Sequence, residues 1–295
     1  MRILVLGAAG QLGRDLVPRL RECGHQVVAA SRAEVDITRP EQVRRALAAS
    51  NSERVINCAA YTKVDQAERE PELAYAINRD GAGVVARECA ERDLPLCHIS
   101  TDFVFTKAPS TAGRPWTEAD EPQPAGVYAT SKRAGELACA AAGGPLQLVR
   151  TAWLYGNQGP NFPLAIVRAA ARGKPIRVVA DQLGSPTWTG DLAPALERLV
   201  STSAQGTFHL SGAGATSWYG FAQALLQELG MEAELTPVTT AEWAAPAPRP
   251  SYSVLANQAW QDLGQPPLPD WRVGLKNWLG AERGGAIAAA IAGGG

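Results

Sequence analysis

The chain is poor in the residues that build metal and disulfide sites. Its 295 residues include three histidines, His25, His98 and His209, and five cysteines, Cys23, Cys58, Cys89, Cys97 and Cys139. No two cysteines form a Cys-x-x-Cys pair, and their number is odd. Zinc sites and disulfide frameworks need tighter, more regular spacing, so these thiols and imidazoles are expected to be structural, with no metal bound. A basic run is also missing: 28 lysines and arginines against 29 acidic residues leave a net charge of −1. Nucleic acids and anionic membrane surfaces select clustered cations, so neither is an expected partner. No apolar run reaches the ~18 residues of a membrane span. The first strand-like run, Arg2-Ile3-Leu4-Val5-Leu6, leaves no room for a charged leader, and the expected location is the cytoplasm.

What the chain does have is a hydrophobic fraction of 46%, enough for a substantial core. Short apolar runs at Ile3 to Leu6, Val27 to Ala30, Val55 to Asn57, Leu96 to Ser100 and Leu146 to Arg150 alternate with stretches of helical periodicity. Strands this apolar, with hardly any polar alternation, suit a parallel sheet covered on both faces, and the alternation marks repeated βαβ units. The expected fold is therefore α/β, a Rossmann-type doubly wound parallel sheet with a smaller, interleaved C-terminal part. Residues 1–155 form the dinucleotide-binding part, with returning segments at roughly 175–212, and 156–174 and 213–283 form the substrate part. Helices are expected near Phe162 to Arg172, Leu192 to Leu199 and Trp218 to Leu229, and Pro71-Glu72 fits a helix start. Ala244 to Pro250, dense in proline, reads as a loop or crossing segment, and 284–295 as a flexible tail.

The first strand ends in Gly7-Ala8-Ala9-Gly10-Gln11-Leu12-Gly13, opening an amphipathic helix with Leu16, Val17 and Leu20. Glycines allow close approach of backbone to a pyrophosphate, and a helix N-terminus supplies unpaired N–H groups and the positive end of a dipole. The spacing is Gly-x-x-Gly-x-x-Gly, not the commoner Gly-x-Gly-x-x-Gly. After the second strand, the carboxylate that usually meets the NAD ribose is absent, and Ala30-Ser31-Arg32 stands there instead. A guanidinium suits a 2′-phosphate, which favours NADPH while leaving NADH open. Asp36 and Ile37 follow, where they could meet the adenine.

Tyr128 and Lys132, four residues apart, project from nearly one face of a helix. A phenol titrates near ~10, and a cation close by favours the phenolate. Two unit charges ~4 Å apart at an effective dielectric of ~20 interact by ~4 kcal/mol, so the pair can build a tuned proton donor. The fourth strand ends in Ile99-Ser100-Thr101-Asp102, placing hydroxyls at the sheet edge where open α/β folds bind ligands.

Thr101, Tyr128 and Lys132, downstream of the glycine turn, resemble the active site of the extended short-chain dehydrogenase/reductase family, and the resemblance spans nearly the whole chain. Four further strings narrow it to that family's nucleotide-ketosugar reductases: Asn57 to Asp65, Ser100 to Phe105, Arg150 to Gly156 and Asp181 to Thr187. Two departures stand out: Ala129-Thr130-Ser131 after the tyrosine, and a lengthened loop from Lys107 to Arg114. The resemblance implies NADPH-dependent reduction of the C4 ketone of a dTDP-sugar, dTDP-4-dehydro-6-deoxy-L-mannose. It implies that Tyr128 protonates the developing alkoxide, that Thr101 holds the same oxygen, and that Lys132 lowers the pKa of Tyr128 and binds the nicotinamide ribose. Ala59, Ala60, Tyr61 and Thr62 then line the cofactor, and Asp102 and Trp153 contact the sugar. Asn78 is expected to brace the sheet and loops. Trp188, Arg249 and the remaining tryptophans are expected in packing or a homodimer surface, with Arg249 alternatively facing a nucleotide phosphate. Related dehydratases carry Asp-Glu after the threonine, and Thr101-Asp102-Phe103 lacks that glutamate. An epimerase and a non-catalytic nucleotide-binding regulatory subunit remain the alternatives.

Overall fold

A computed structural model describes residues 1–106, 113–157, 159–282 and 285–292. The expected loop lengthening at 107–112 lies outside the described residues.

The first half alternates strand and helix: β1 Arg2–Leu6, α1 Gln11–Glu22, β2 Gln26–Ala30, α2 Pro40–Ser50, β3 Arg54–Asn57, α3 Val64–Ala67, α4 Pro71–Tyr75, a π-helical turn Ala76–Gly81, α5 Ala82–Ala90, β4 Leu96–Thr101, α6 Val127–Ala141 and β5 Leu146–Thr151. The second half is less regular, with β6 Leu154–Tyr155, α7 Phe162–Ala171, β7 Ile176–Val179, β8 Leu183–Gly184, β9 Thr187–Trp188, α8 Thr189–Val200, β10 Gly206–His209, β11 Thr216–Ser217, α9 Trp218–Leu229 and β12 Leu235–Val238. Four helices finish it: α10 Thr240–Trp243, α11 Gln258–Asp262, α12 Trp271–Glu282 and α13 Ala286–Ala292.

Six strands pair in the order β10-β5-β4-β3-β1-β2, all parallel. Alternate residues of β1 serve opposite faces, as the period of two in a strand dictates. Leu4 and Leu6 pack with Val43, Leu47, Val85 and Tyr128 from α2, α5 and α6. Ile3 and Val5 pack with Leu16, Leu20, Leu192, Leu196 and Trp260 from α1, α8 and α11. The doubly wound α/β sheet is thus observed, and its strand order reverses between β1 and β3. At such a switch point the two crossovers diverge and leave a crevice at the carboxyl ends of the strands.

The second unit has its own core, where Leu164, Val167, Phe221, Leu225, Trp271 and Trp278 from α7, α9 and α12 surround the parallel β7–β12 pair. Residues 176–184 pair with this unit, β7 with β12 and β8 with β11, while β9 pairs with β6. The return to the large sheet begins at α8, later than the expected 175. Residues 286–292 also depart from the expected flexible tail. They form α13, whose Ile287 and Ala290, three apart on one helical face, are buried in the same core. Residues 284 and 293–295 lie outside the described residues. Trp260, Trp271 and Trp278 are fully buried and so serve packing.

Candidate active site

The crevice at the switch point is built by glycine. Gly7 has φ +74°, and a Cβ there would stand 2.6 Å from the Ala59 nitrogen at the end of β3. A Cβ on Gly13 would meet Ala8 backbone atoms at 2.6 Å, so only glycine lets α1 start this close to β1. No side chain caps α1, whose N-cap is Gly10, leaving its first N–H groups to a ligand. A cavity of about 210 Å³ beside the turn is lined by Gly7, Gly10, Arg32, Asp36, Ile37, Ala59 and Ala60. A second, of about 580 Å³, continues over Gly10, Gln11, Leu12 and Gly13 to Ala60 and Thr62. An N-terminal turn without a cap, an exposed guanidinium at the far mouth and an apolar slot between them fit a dinucleotide carrying a 2′-phosphate.

The larger cavity also carries Thr101, Asp102, Tyr128, Lys132 and Trp153. Thr101 closes β4, and its hydroxyl accepts the Phe103 N–H at 3.2 Å and donates to the Asp102 carboxylate at 3.1 Å. Tyr128 and Lys132 lie in the first turns of α6, which is anchored at its start where Val127 N–H donates to Glu68 Oε1 at 2.7 Å. Asn78, in the π-helical turn, ties these parts together. Its amide accepts from Tyr61 N–H at 2.8 Å and donates to the Tyr61 carbonyl at 3.1 Å and to the Ser131 hydroxyl at 3.0 Å. It braces the loop at Tyr61 against α6, with no hydrogen bond to the sheet among those it makes here.

The electrostatics differ from the expected tuning. Burial pushes the Tyr128 phenol up to about 12, with the Asp102 carboxylate adding to the rise and a hydrogen bond from Thr101 opposing it. Lys132 is brought down to about 8, by burial first, while the Glu136 carboxylate pulls the other way. Its Nζ donates to the Ile99 carbonyl at 2.7 Å, which leaves its other N–H donors for the cleft. Tyr128 is consequently neutral across the physiological range, the form a proton donor needs. Burial likewise raises Asp102 to about 6, with hydrogen bonds from Ser253 and Thr101 opposing.

Trp153 is the strained member. Its φ of +46° is a left-handed conformation that a bulky side chain rarely adopts. The strain is held by packing: the indole stacks on Trp218, ring centroids 3.5 Å apart, and its other side fills the space a Cβ on Gly184 would take. Trp153, Trp218, Phe162, Phe103 and Arg249 are shared with a third cavity of about 430 Å³, lined further by Ile166, Ile176 and Val178 with Arg177 and Gln182. Arg249, the charged residue among those shared, holds Asp65 through Nη1 at 3.0 Å and Nη2 at 2.8 Å. Ala244 to Pro250, read as a crossing segment, is what brings Arg249 here.

All the expected contact residues but one line these cavities. Tyr61 turns away, its hydroxyl donating to Glu70 at 2.7 Å, so it contributes backbone to the loop and not side chain to the cleft. The three histidines engage in structural contacts: His25 meets Glu197 at 3.2 Å, His98 meets Asn57 at 3.2 Å and His209 meets the Trp116 carbonyl at 3.0 Å. Trp218, expected in packing or a dimer surface, walls the cleft instead, because Ser217 caps α9 and starts that helix at the cavity rim. Cys58, Ile99 and Phe162, none of them expected as a contact residue, also line the larger cavity. The first two follow from the rule that strand carboxyl ends line the site; Phe162 has no such sequence signal.

A parallel sheet with a switch-point glycine turn, facing a buried threonine, tyrosine and lysine, defines a nicotinamide-dependent reductase of the short-chain dehydrogenase/reductase type. Within that class, the chain belongs to the family described as RmlD substrate binding domain, whose model matches residues 1–283. It is 43% identical over 283 residues to the dTDP-4-dehydrorhamnose reductase of Mycolicibacterium smegmatis, covering 95% of this chain and 85% of the relative. It is 42% identical over 282 residues to a probable dTDP-4,6-dihydroxy-2-methyloxan-3-one 4-ketoreductase of Streptomyces antibioticus, covering 94% of each. The crystal structure of a Bacillus anthracis dTDP-4-dehydrorhamnose reductase in complex with NADP superposes with a TM-score of 0.91 at 37% identity, covering 95% of this chain and 99% of that one. A Thermus thermophilus UDP-glucose 4-epimerase shares the fold, with a TM-score of 0.84 at 22% identity over 96% of this chain and 99% of that one.

Proposed function

We propose that this enzyme reduces the C4 ketone of dTDP-4-dehydrorhamnose, dTDP-4-dehydro-6-deoxy-L-mannose, to dTDP-L-rhamnose with NADPH. The observation that carries this reading is that Thr101, Tyr128, Lys132, Trp153 and the glycine turn share one cavity of about 580 Å³, which has Arg249 and four aromatic side chains in common with a largely apolar one. When bound, NADPH supplies the hydride. As the carbonyl π-electrons move to oxygen, Tyr128 gives its phenolic proton to that oxygen and Thr101 holds the same atom by a hydrogen bond. An alkoxide is a far stronger base than a phenolate, so a phenol raised to about 12 still transfers downhill. Lys132 contributes the positive charge that holds the resulting phenolate. Trp153, Trp218 and Phe162 shield the reacting carbon from water, and Arg249, which lines both cavities, faces the diphosphate. The third cavity takes the nucleoside, with Gln182 and Arg177 as its polar groups.

Elimination is disfavoured: where related dehydratases carry glutamate, Phe103 packs edge-on against Tyr128 at 5.3 Å. The same reading makes a dTDP-sugar the partner, without nucleic acid, which the net charge of −1 supports, and places the enzyme in the cytoplasm. Among the described residues, no helix is long and apolar enough to cross a membrane. The reading is tested by incubating the enzyme with NADPH and enzymatically made dTDP-4-dehydrorhamnose and identifying the product. Appearance of dTDP-L-rhamnose in step with NADPH loss is expected; release of an epimerised ketosugar with NADPH intact would replace reduction by epimerisation.

A further inference from the structure

A buried carboxylate outside the reacting groups links three elements of the site. Glu136, only 1% exposed, lies one helical turn beyond Lys132 on α6. Its Oε1 accepts from the Ser100 hydroxyl at 2.6 Å and from Arg150 Nε at 2.9 Å, and its Oε2 accepts from Arg150 Nη2 at 2.9 Å and Arg133 Nη1 at 3.0 Å. Ser100 precedes Thr101 on β4, and Arg150 lies on β5 three residues before Trp153. Arg150 is itself fixed over the Phe105 ring at 5.3 Å and beside His209 at 3.4 Å.

Stability alone is a weak reason for such a cluster, since well-packed apolar side chains often replace a buried ion pair without loss. We infer that Glu136 is a positioning residue for the reduction, tying the ends of β4 and β5 to α6 and supplying the negative charge that Lys132 faces. The inference rests on the reading that Lys132 holds the Tyr128 phenolate and, as the family resemblance implies, binds the nicotinamide ribose. Lys132 is buried, and the groups around it are Glu136 and Cys139 on α6, Cys58 after β3, and His98 with the Ile99 carbonyl on β4, while Tyr128 lies four residues before it on α6. Glu136 is the carboxylate among them. Its charge opposes the burial that lowers Lys132 to about 8. Arg133 and Arg150, paired with Glu136, temper that effect.

Two substitutions read this coupling in opposite directions. Glu136→Gln keeps acceptor and donor capacity but removes the charge, so Lys132 loses its proton at lower pH. The alkaline limb of the rate, and of NADPH affinity measured by cofactor fluorescence, should move down by roughly one pH unit. Arg133→Met removes a neighbouring cation and should move the same limb upward. Limbs that superimpose on wild type for both variants would overturn the inference. Where Glu136→Gln fails to fold, the Arg133→Met limb decides alone: an upward shift supports the role and an unmoved limb overturns it. Wild type that binds NADPH but does not turn over the ketosugar would sink the reductase reading instead, and the affinity profile would still decide the role of Glu136.

Discussion

The indoles of Trp153 and Trp218 lie face to face, 3.5 Å between centroids and 2° between planes, joining the loop after β5 to the first residue of α9. Trp153 pays for this contact with a left-handed backbone, and Gly184 makes room behind it. Gly184→Ala should therefore push the indole out of its place and into the cavities it lines. Overpacking of this kind costs about 1–3 kcal/mol. A lower urea midpoint and a KM for the ketosugar raised about tenfold, with NADPH affinity unchanged, are expected. A displaced Trp153 that leaves KM untouched would remove it from the sugar site.

Arg249 is shared between the catalytic and apolar cavities and is paired with a half-exposed Asp65. Exposed pairs contribute at most about 1 kcal/mol, so Arg249→Met should barely alter the melting temperature. Loss of a charge-assisted hydrogen bond to phosphate, about 1.5–3 kcal/mol, should raise the ketosugar KM about ten- to a hundredfold. Steady-state kinetics at saturating NADPH provide the check, and an unchanged KM would place the diphosphate elsewhere.

Asp102 couples the site to stability. Its carboxyl titrates near 6 in the folded chain against an ordinary 3.8, so the folded state holds the proton more tightly. Its ionisation costs nothing below about pH 4 and its full penalty, on the order of 3 kcal/mol, above about pH 6. Asp102→Asn should thus be more stable than wild type at pH 8 and equal to it at pH 4, by urea unfolding. An identical difference at both pH values would show that the carboxylate is not the destabilising group.

Arg32 stands at the far mouth of the smaller cavity with Asp36 and Ile37. Arg32→Ala should lower the ratio of kcat/KM for NADPH over NADH by about ten- to a hundredfold, the effect of one charge-assisted contact. A ratio that does not change would assign the 2′-phosphate to other groups.

The parts legible in the sequence are those set by local chemistry. Gly7 to Gly13 must be a tight strand-to-helix turn, and Ile3 to Leu6 must be covered on both faces. Tyr128 and Lys132 share a helical face because four residues make about one turn. The parts that were not legible depend on tertiary contacts. Nothing near Trp218 says that α9 starts at the cleft, and nothing near Ile176 says that β7 will pair with β12. The Gly-Ala-Ile composition of the last residues suggested fraying, yet Ile287 and Ala290 find a core supplied by α7 and α9. Spacing places Lys132 one turn from Tyr128, whereas its hydrogen bond to the Ile99 carbonyl depends on how the sheet meets α6.

The most direct test follows NADPH oxidation at 340 nm by wild type and Tyr128→Phe with dTDP-4-dehydrorhamnose. Wild type should consume NADPH, and the variant should bind it equally well while turning over about a hundred- to ten-thousandfold more slowly, the usual contribution of one positioned acid. A Tyr128→Phe enzyme as fast as wild type would contradict the account by removing Tyr128 as the proton donor.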